Sequence, residues 1–302
     1  MIDHPAGIKN HAAPVPYGGG VAMYLGTIAA LLAYHGFTFP PITLAILTAS
    51  TVIFLGGLWD DRRPLGVAPK FAIQIAAALT LIICGVHLSI QILPRWMNLG
   101  LTIFWLVAMS NAVNMIDIMD GLAGGVTGIA ALTFGLIGLL FGEMDLAILS
   151  LGLAASIFGF LIYNLQPARI FMGDAGAQFL GFTLGAAAVQ GAYTTFNSIA
   201  LLAPVLILGL PLYDMALVSV IRLERGHSPF RGSADHVALR LRRMGLSVAW
   251  TVRICYLGTA ILCVAAVAAT MVSLEYASWI YGATFLAAIL CGFRLADVEP
   301  AK

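Results

Sequence analysis

Long apolar stretches separated by short polar connections make up nearly the whole chain. A helix needs about 17–25 largely apolar residues to cross a bilayer, and ten segments reach or approach that length. These segments are residues 18–35, 41–59, 69–88, 99–116, 121–141, 145–164, 175–192, 197–221, 248–272 and 276–294. The pattern predicts an all-α fold, a polytopic membrane helix bundle of about ten transmembrane helices. We expect a single integral membrane domain over residues 1–302, with a long loop at 222–247.

Composition supports the membrane assignment. The chain is 61% hydrophobic and 10% charged, whereas soluble domains are about 45–50% apolar and about 25% charged. The net charge of +1 indicates no nucleic-acid partner. The cysteines all lie inside apolar runs without metal-type spacing, which predicts small core residues.

Basic residues concentrate on one side of the predicted spans. Of the 15 Lys and Arg residues, only Arg95 falls on the side opposite the 60–68 loop. Cytoplasmic loops carry an excess of Lys and Arg, so the basic side is predicted to be the cytoplasm. Most acidic residues lie there as well. We therefore expect a multi-pass membrane protein that works on its cytoplasmic face.

The most unusual stretch, residues 111–125, follows one apolar run and precedes another. Its polar residues recur every three positions: Asn111, Asn114, Asp117 and Asp120. A carboxylate costs about 2.5–3.5 kcal/mol at the centre of a membrane helix, so these side chains are expected at a membrane face or in a polar cavity. A helix ending near Asn114 would leave Asp117 and Asp120 in a turn. The local alternative, Asp120 as N-cap of a helix beginning at Gly121, explains only Asp120.

A second constellation is Asp60-Asp61, followed by Lys70. Adjacent carboxylates at the end of a spanning helix repel each other and the negative end of its dipole, so a cation is expected nearby. Arg62, Arg63, Lys70 or a divalent metal could supply it. Mg²⁺ takes one or two carboxylates plus phosphate oxygens. The alternative is a solvated loop in which Arg62 and Arg63 form the salt bridges.

Two further loops carry candidate ligands. Residues 164–176 place Asp174 just before a helix and offer Phe171 as an aromatic that could stack on a base. Their structural alternatives are an N-cap for Asp174 and interfacial burial for Phe171. Near the start of the chain, Lys9 and His11 precede a Pro- and Gly-rich stretch and could lie near an anionic ligand, or simply lead into a helix.

The long loop at 222–247 is rich in arginine and contains His236. One interpretation is an amphipathic helix over residues 235–244, lying on an anionic membrane surface. The other is a phosphate clamp that includes His236 and Arg240. Asp214, about two turns before this loop, could face a cavity or form a pair inside the bundle.

Taken in order, these residues resemble one family, the polyprenyl-phosphate N-acetylhexosamine-1-phosphate transferases of glycosyltransferase family 4. The chain is most similar to the UDP-GlcNAc:undecaprenyl-phosphate type. The matching motifs are Lys9-x-His11-x-x-Pro14-x-Pro16 with Gly18 to Gly20, Asp60-Asp61 with Lys70 and Gln74, Asn111-x-x-Asn114-x-x-Asp117-x-x-Asp120, and Asn164-x-x-Pro167-Ala168-x-x-Phe171-Met-Gly173-Asp174.

The resemblance implies a Mg²⁺-dependent reaction, with Mn²⁺ as the alternative metal. A polyprenyl phosphate in the membrane attacks the β-phosphorus of a UDP-N-acetylhexosamine and releases UMP, which initiates cell-envelope glycan synthesis. The implied partners are the UDP-sugar, the polyprenyl phosphate lipid and the membrane, with no nucleic acid; a homodimer is compatible with it.

The resemblance implies roles for the residues of this chain that match the family's motifs. Asn114 and Asp174 would be metal ligands. The implied catalytic residues are Asp60, Asp61 and Lys70. The implied substrate-binding residues are Lys9, His11, Asp117, Asp120, Asn164, Phe171, His236 and Arg240.

The chain departs from the family pattern at two places. Relatives usually carry another spanning helix before the first motif, and Ile8 stands where a basic residue is common. The long loop has Leu239 at the second position of a His-x-x-His-Arg pattern. Two alternatives therefore stay open. One is a phospho-N-acetylmuramoyl-pentapeptide transferase, against which the short loop argues. The other is a catalytically impaired homologue acting as a lipid-binding or transport protein.

Overall fold

The structure is a computed structural model that describes residues 2–3, 15–191, 193–228 and 233–298. Across these residues the fold is helical, and the only sheet is a two-stranded antiparallel ribbon of β1 (Ile2–Asp3) and β2 (Val15–Pro16). The chain forms two compact units, Met1–Gly191 and Ala192–Lys302. The sequence predicts a single membrane domain over the same residues.

The described part of the first unit contains seven helices. They are α1 (Gly19–His35), α2 (Pro41–Arg62), α3 (Val67–Ile83), α4 (Arg95–Ile116), α5 (Leu122–Phe141), α6 (Met144–Asn164) and α7 (Gly173–Gln190). The central helix is α7, which packs against α1, α2, α4, α5 and α6. Fifteen of its 18 residues are buried.

Small residues let α7 approach its neighbours at backbone distance. A Cβ atom at Gly57 of α2 would lie 2.5 Å from the Cα atom of Ala175. A Cβ atom at Gly181 would meet the carbonyl oxygen of Met109 on α4. Such close contacts are typical of membrane helices, where packing replaces the hydrophobic driving force between helices. They bring the start of α7 against the ends of α2 and α4.

In the second unit, the described helices start with a 3-10 helix (Ser198–Leu202). They continue with α8 (Ala203–Ile207), α9 (Gly209–Glu224), α10 (Val237–Arg243), α11 (Val248–Met271) and α12 (Leu274–Ala296). The segment Ser198–Ile207 meets α9 at a bend of 75°. α11 packs against α8, α9, α10 and α12.

Six described helices are long and apolar enough to cross a membrane: α2, α4, α5, α6, α11 and α12. The bent pair of Ser198–Ile207 and α9 would make a seventh, and α1 and α3 are shorter apolar helices of 17 residues each. The predicted class, an all-α membrane protein, is confirmed. The predicted count of ten spans is not, because the remaining apolar segments form helices that are shorter, bent or, in α7, more polar.

Candidate active site

Polar side chains from four helix ends meet in the first unit. Asp60 and Asp61 lie in the last turn of α2, Lys70 lies in the first turn of α3, and Asn114 and Asp174 lie at the end of α4 and the start of α7. The sequence predicts each of these residues as a catalytic or metal-binding residue, and the structure brings all five together. We call this group the carboxylate–lysine cluster.

Lys70 links two of the predicted carboxylates. Its ammonium group forms an ion pair with the carboxylate of Asp60 and donates a hydrogen bond to Oδ2 of Asp174 at 2.7 Å. The other oxygen of Asp60 accepts from the backbone N–H of Leu65 at 2.6 Å. Lys70 therefore supplies the cation that the sequence requires near the acidic pair, and no salt bridge of Arg62 or Arg63 occurs within the described residues.

Asn114 completes the surroundings of Asp174. Its Nδ2 donates to Oδ1 of Asp174 at 2.9 Å, so each carboxylate oxygen of Asp174 has one donor. The Asp174 side chain keeps 31% of its accessible surface and the Lys70 side chain keeps 32%. The cluster is therefore open enough to exchange these contacts for a bound ligand.

Asp61 holds the beginning of α7. Its Oδ1 accepts from the backbone N–H of Asp174 at 2.7 Å, and its Oδ2 accepts from that of Ala175 at 3.1 Å. These are two of the N–H groups that a helix start leaves without partners. The suggested N-cap role of Asp174 is wrong, because Met172 occupies that position without a side-chain cap and Asp61 acts from another helix.

Gly173 makes this contact geometrically possible. Its φ of +69° lies in the left-handed region, which an L-residue with a Cβ atom adopts at a cost. A Cβ atom at Gly173 would also lie 2.6 Å from Oδ2 of Asp61. Glycine at this position thus allows both the backbone turn and the approach of the Asp61 carboxylate.

The turn between α4 and α5 is tied to the loop before α7. Oδ2 of Asp120 accepts from the backbone N–H of Ala168 at 2.9 Å, and Oδ1 of Asn164 accepts from that of Gly121 at 3.0 Å. Asn164 also donates to the carbonyl of Ile170 at 2.8 Å. The turn predicted for Asp117 and Asp120 is confirmed. The N-cap role for Asp120 is wrong, because Gly121 in a left-handed conformation precedes α5 and Asp120 bonds across to Ala168.

Asp117 lies close to the carboxylate–lysine cluster and to Asp120 in the turn. It follows the last residue of α4, and within the described residues its carboxylate receives no hydrogen bond. Burial, together with the negative charges of Asp174, Asp61 and Asp120, raises the pKa of Asp117 to about 7. The sequence predicts a substrate-binding role here, and the geometry supplies a carboxyl group that can change protonation near neutral pH.

Phe171 is fixed by the backbone that leads into α1. Its N–H donates to the carbonyl of Pro16 at 3.0 Å, and its carbonyl accepts from Gly18 and Gly19 at 3.3 Å and 3.0 Å. The rings of Tyr17 and Phe171 are tilted, with centroids 6.3 Å apart. The first and last motifs therefore meet. Lys9 and His11 lie outside the described residues.

Three amide side chains form a second layer beneath the cluster, and we call them the amide triad: Gln74 of α3, Asn111 of α4 and Gln178 of α7. Gln74 and Asn111 exchange two hydrogen bonds, of 2.8 Å and 3.3 Å. Gln74 also donates to Oε1 of Gln178 at 3.2 Å. Sequence reasoning singled out Asn111 and matched Gln74 to a motif but missed Gln178, whose spacing of four from Asp174 was the available signal.

The second unit contains its own buried polar pair. Asp214 accepts from Nδ1 of His236 at 2.7 Å and from the backbone N–H of Val237 at 2.6 Å. Of the two alternatives left open for Asp214, the structure has the paired one. The substrate-binding role of His236 stays a prediction.

Arg240 is fully buried in the second unit. Its guanidinium donates to the carboxylate of Asp235 at 2.7 Å, and to the carbonyls of Leu295 and Val298, beside the end of α12, at 2.6 Å and 2.9 Å. It stands in α10, which occupies seven of the residues predicted as an amphipathic helix. These contacts tie α10 to the end of α12, and a phosphate-binding role for Arg240 stays a prediction.

The acidic residues do not form a complete metal cage. No group of three or more His, Cys, Asp or Glu side chains in the described part of the chain could hold a metal ion. The oxygen donors that do converge are Asp174, Asn114 and Asp60, and the Lys70 ammonium between two carboxylates marks a position that favours positive charge. A hard cation held here would need further oxygens from a bound phosphate group.

The chain is similar in sequence to known proteins. Residues 43–192 match the family model described as glycosyl transferase family 4, a range that includes the whole carboxylate–lysine cluster.

Curated relatives extend the match over most of the chain. A probable undecaprenyl-phosphate N-acetylglucosaminyl 1-phosphate transferase of Bacillus subtilis (strain 168) is 33% identical over 85% of this chain and 74% of its own length. A decaprenyl-phosphate N-acetylglucosaminephosphotransferase of Mycobacterium leprae is 35% identical over 86% and 75%. An undecaprenyl-phosphate alpha-N-acetylglucosaminyl 1-phosphate transferase of Escherichia coli (strain K12) is 30% identical over 82% and 70%. The resemblance in the motifs is thus confirmed, and the chain belongs to glycosyl transferase family 4.

Proposed function

We propose that this protein transfers N-acetylglucosamine-1-phosphate from UDP-N-acetylglucosamine to a polyprenyl phosphate and releases UMP. The observation that carries the proposal is the carboxylate–lysine cluster, in which Lys70 joins Asp60 to Asp174 and Asn114 bonds to Asp174. The relatives named above are transferases of this kind. The reaction needs cationic and metal-binding groups around a diphosphate, and this cluster offers both.

The residues present fit a magnesium ion. Asp174 and Asn114 would hold it, since carboxylate and amide oxygens are its usual protein ligands. The bound ion would supply positive charge to the diphosphate and thereby stabilise the charge that develops during phosphoryl transfer; Mn²⁺ could take its place. Asn114 donates its Nδ2 to Asp174 in this structure, and its Oδ1, which accepts no hydrogen bond within the described residues, would be the atom that binds the metal.

The reaction exchanges one phosphorus–oxygen bond for another. An oxygen of the lipid phosphate forms a bond to the β-phosphorus, and the bond from that phosphorus to the bridging oxygen breaks, so the bridging oxygen leaves with UMP. Lys70 would neutralise charge on the transferring phosphoryl group. The family roles leave open whether Asp60 or Asp61 orients or deprotonates the lipid phosphate. Both oxygens of Asp61 accept from α7 amides, and both oxygens of Asp60 are engaged by Lys70 and the N–H of Leu65, so either aspartate would exchange an existing partner to contact the lipid.

The nucleotide would lie on the side of Asp120, Asn164 and Phe171. Asp120 has one carboxylate oxygen beyond the contact to Ala168, which could accept the N–H of uracil. Phe171, whose backbone is held by Pro16, Gly18 and Gly19, would stack on the base. Asp117, whose carboxyl group interacts with those of Asp120 and Asp174, would lie between the base and the diphosphate. Lys9, His11, His236 and Arg240 stay proposed contacts for the anionic parts of the substrates.

Orientation follows from charge. In the proposed topology the protein spans the inner membrane about ten times. The carboxylate–lysine cluster faces the cytoplasm in this topology, because nearly all basic residues fall on that side. Tags placed in the 222–247 loop and at residue 302 should report the cytoplasm, and a tag near Arg95 should report the opposite face. A shared side for the 222–247 loop and Arg95 would contradict this topology.

The decisive assay measures UMP release by the purified protein with Mg²⁺, undecaprenyl phosphate and labelled UDP-N-acetylglucosamine. We expect Asp174→Asn and Asp60→Asn to abolish release. Glu275→Gln, which alters an exposed acid at the start of α12, should leave it unchanged. UDP-N-acetylmuramoyl-pentapeptide as the preferred donor would support the muramoyl alternative. No release from any UDP-N-acetylhexosamine would support a catalytically impaired, lipid-binding homologue.

A further inference from the structure

The amide triad lies one helical turn deeper than the carboxylate–lysine cluster, on three of the same helices. Gln74 follows Lys70 by four residues on α3, Gln178 follows Asp174 by four on α7, and Asn111 precedes Asn114 by three on α4. Residues three or four apart share one face of a helix. Each of three cluster residues therefore stands directly above one amide, and Gln74 is hydrogen-bonded to both of the other amides.

The two layers differ in their exposure to water. The side chains of Lys70 and Asp174 keep about a third of their accessible surface, whereas Gln74 is 1% exposed and Gln178 is 4% exposed. Lys70 and Asp174 also lie in the first turn of their helices, where backbone N–H groups lack intrahelical partners. Asn111 is partly exposed, so the amide triad is a largely buried polar contact that joins all three helices below the cluster.

A largely buried amide contact specifies the alignment of helices more tightly than apolar packing does. Apolar surfaces can slide past each other with little penalty, but a buried amide that loses its partner is left without a hydrogen bond. A single buried polar residue can fix the register of packed helices in this way. The reciprocal pair of Gln74 and Asn111 sets α3 against α4, and the bond to Gln178 sets α3 against α7.

We propose that Gln74, Asn111 and Gln178 are positioning residues for the transfer reaction, acting by fixing α3, α4 and α7 in the register that places Lys70 and Asn114 on Asp174. They touch neither the reacting atoms nor a ligand in this role. The kinetic part of the test rests on the proposed function. A second readout, the reactivity of the Lys70 amine, does not.

The chain makes Lys70 easy to follow. Its only other lysines are Lys9 and Lys302, so acylation of Lys70 by a water-soluble amine-reactive ester can be read from a single peptide by mass spectrometry, with Lys302 as the internal reference. An ammonium group paired with two carboxylates acylates slowly. When the register is lost, the Lys70 amine separates from Asp174 and should react faster.

The test compares Gln74→Met, Asn111→Leu and Gln178→Met, which keep the approximate side-chain volume and remove the amide. We expect each to lower kcat by about 10- to 100-fold, the range found when groups supporting active-site ligands are removed. We expect little change in KM for UDP-N-acetylglucosamine and a several-fold faster acylation of Lys70.

The matched control is Thr183→Val. Thr183 donates a buried hydrogen bond of 2.9 Å to Ser50, also between α7 and a neighbouring helix, and Thr183 is 1% exposed. This variant should lose thermal stability while keeping kcat and the acylation rate of Lys70.

A triple variant keeps the proposal testable if single variants fold poorly. Gln74→Met, Asn111→Leu and Gln178→Met together leave no amide without its partner, and replacing both sides of a buried hydrogen bond can be nearly neutral for stability. We expect the triple variant to fold and still to lose kcat and the protection of Lys70. Wild-type kcat and acylation in the triple variant would overturn the proposal. If the wild type releases no UMP, the proposed function fails, and the acylation rates still decide the role of the amide triad.

Discussion

The carboxylate of Asp61 accepts a hydrogen bond from the backbone N–H of Asp174. Oδ1 of Asp61 accepts from the Asp174 N–H at 2.7 Å, and Oδ2 accepts from the next N–H at 3.1 Å. The two adjacent aspartates of α2 therefore have separate tasks in this structure. Asp60 pairs with Lys70, and Asp61 fixes the start of the helix that carries Asp174.

Asp61→Asn should cost both stability and activity. The new NH₂ group would face a backbone N–H of α7, so one buried donor loses its acceptor, which costs about 1–3 kcal/mol of unfolding free energy. We expect a lower Tm in detergent and a lower kcat, because Asp174 is displaced. Arg62→Gln is the control, since Arg62 is exposed and such substitutions usually change stability by less than about 0.5 kcal/mol. An equal loss of Tm in both variants would contradict the structural role of Asp61.

Gly173→Ala should inactivate the protein. Gly173 and Gly142 have similar positive φ angles, +69° and +74°, so an alanine at either position meets the left-handed penalty of about 1–2 kcal/mol. A Cβ atom at Gly142 would have no atom within 4 Å, whereas one at Gly173 would lie 2.6 Å from Asp61. We therefore expect Gly142→Ala to lower Tm modestly and to keep UMP release. Gly173→Ala should lower Tm strongly and abolish UMP release. Equal activity of the two variants would exclude the Gly173–Asp61 contact as a requirement.

Stability should depend on pH through Asp117. Burial first, and then the charges of Asp174, Asp61 and Asp120, raise its pKa from 3.8 to about 7, so between these values the folded state binds more protons than the unfolded state. Unfolding free energy then falls as pH rises from about 4 to about 7. Asp117→Asn removes this loss. The Tm of Asp117→Asn minus the Tm of the wild type should therefore increase between pH 5 and pH 8. A Tm difference that stays constant over this range would show that the pKa of Asp117 is not raised.

Asp214→Leu should destabilise the second unit. The substitution leaves Nδ1 of His236 and the backbone N–H of Val237 without their acceptor, and each unsatisfied buried group costs about 1–3 kcal/mol. Glu224→Gln serves as the control because Glu224 is exposed at the end of α9. We expect a clear decrease of Tm for the first variant alone. A matching Tm in both would mean that the Asp214–His236 pair adds nothing to stability.

Local pattern predicted a large part of this architecture. The apolar runs became helices, and the regular spacing of Asn114, Asp117 and Asp120 was interpreted correctly as a helix end followed by a turn. The prediction that a cation accompanies Asp60 and Asp61 also held, with Lys70 as that cation. These features depend on hydrophobicity, helix-breaking residues and charge balance, which neighbours in sequence largely determine.

Features that depend on packing were missed. The N-cap interpretations of Asp120 and Asp174 failed because each position was judged from its own helix, while the actual partners are Ala168 in another loop and Asp61 on another helix. The contact between Asp60 and Asp174 through Lys70 spans more than a hundred residues. Only the close approach of α2, α3 and α7 decides such pairs, and no local pattern encodes it.

The burial of α7 has a consequence for inhibitor design. Because nearly all of its residues are enclosed by other helices, and two of its glycines, Gly176 and Gly181, lie against the backbone of a neighbouring helix, α7 has no broad face on which a larger side chain is tolerated. A saturation scan of α7 should therefore lack the helical period of permitted positions that α12, whose surface is largely uncovered, should display. An inhibitor that bound against the start of α7 would leave few escape substitutions compatible with folding, so resistance would have to arise elsewhere in the chain.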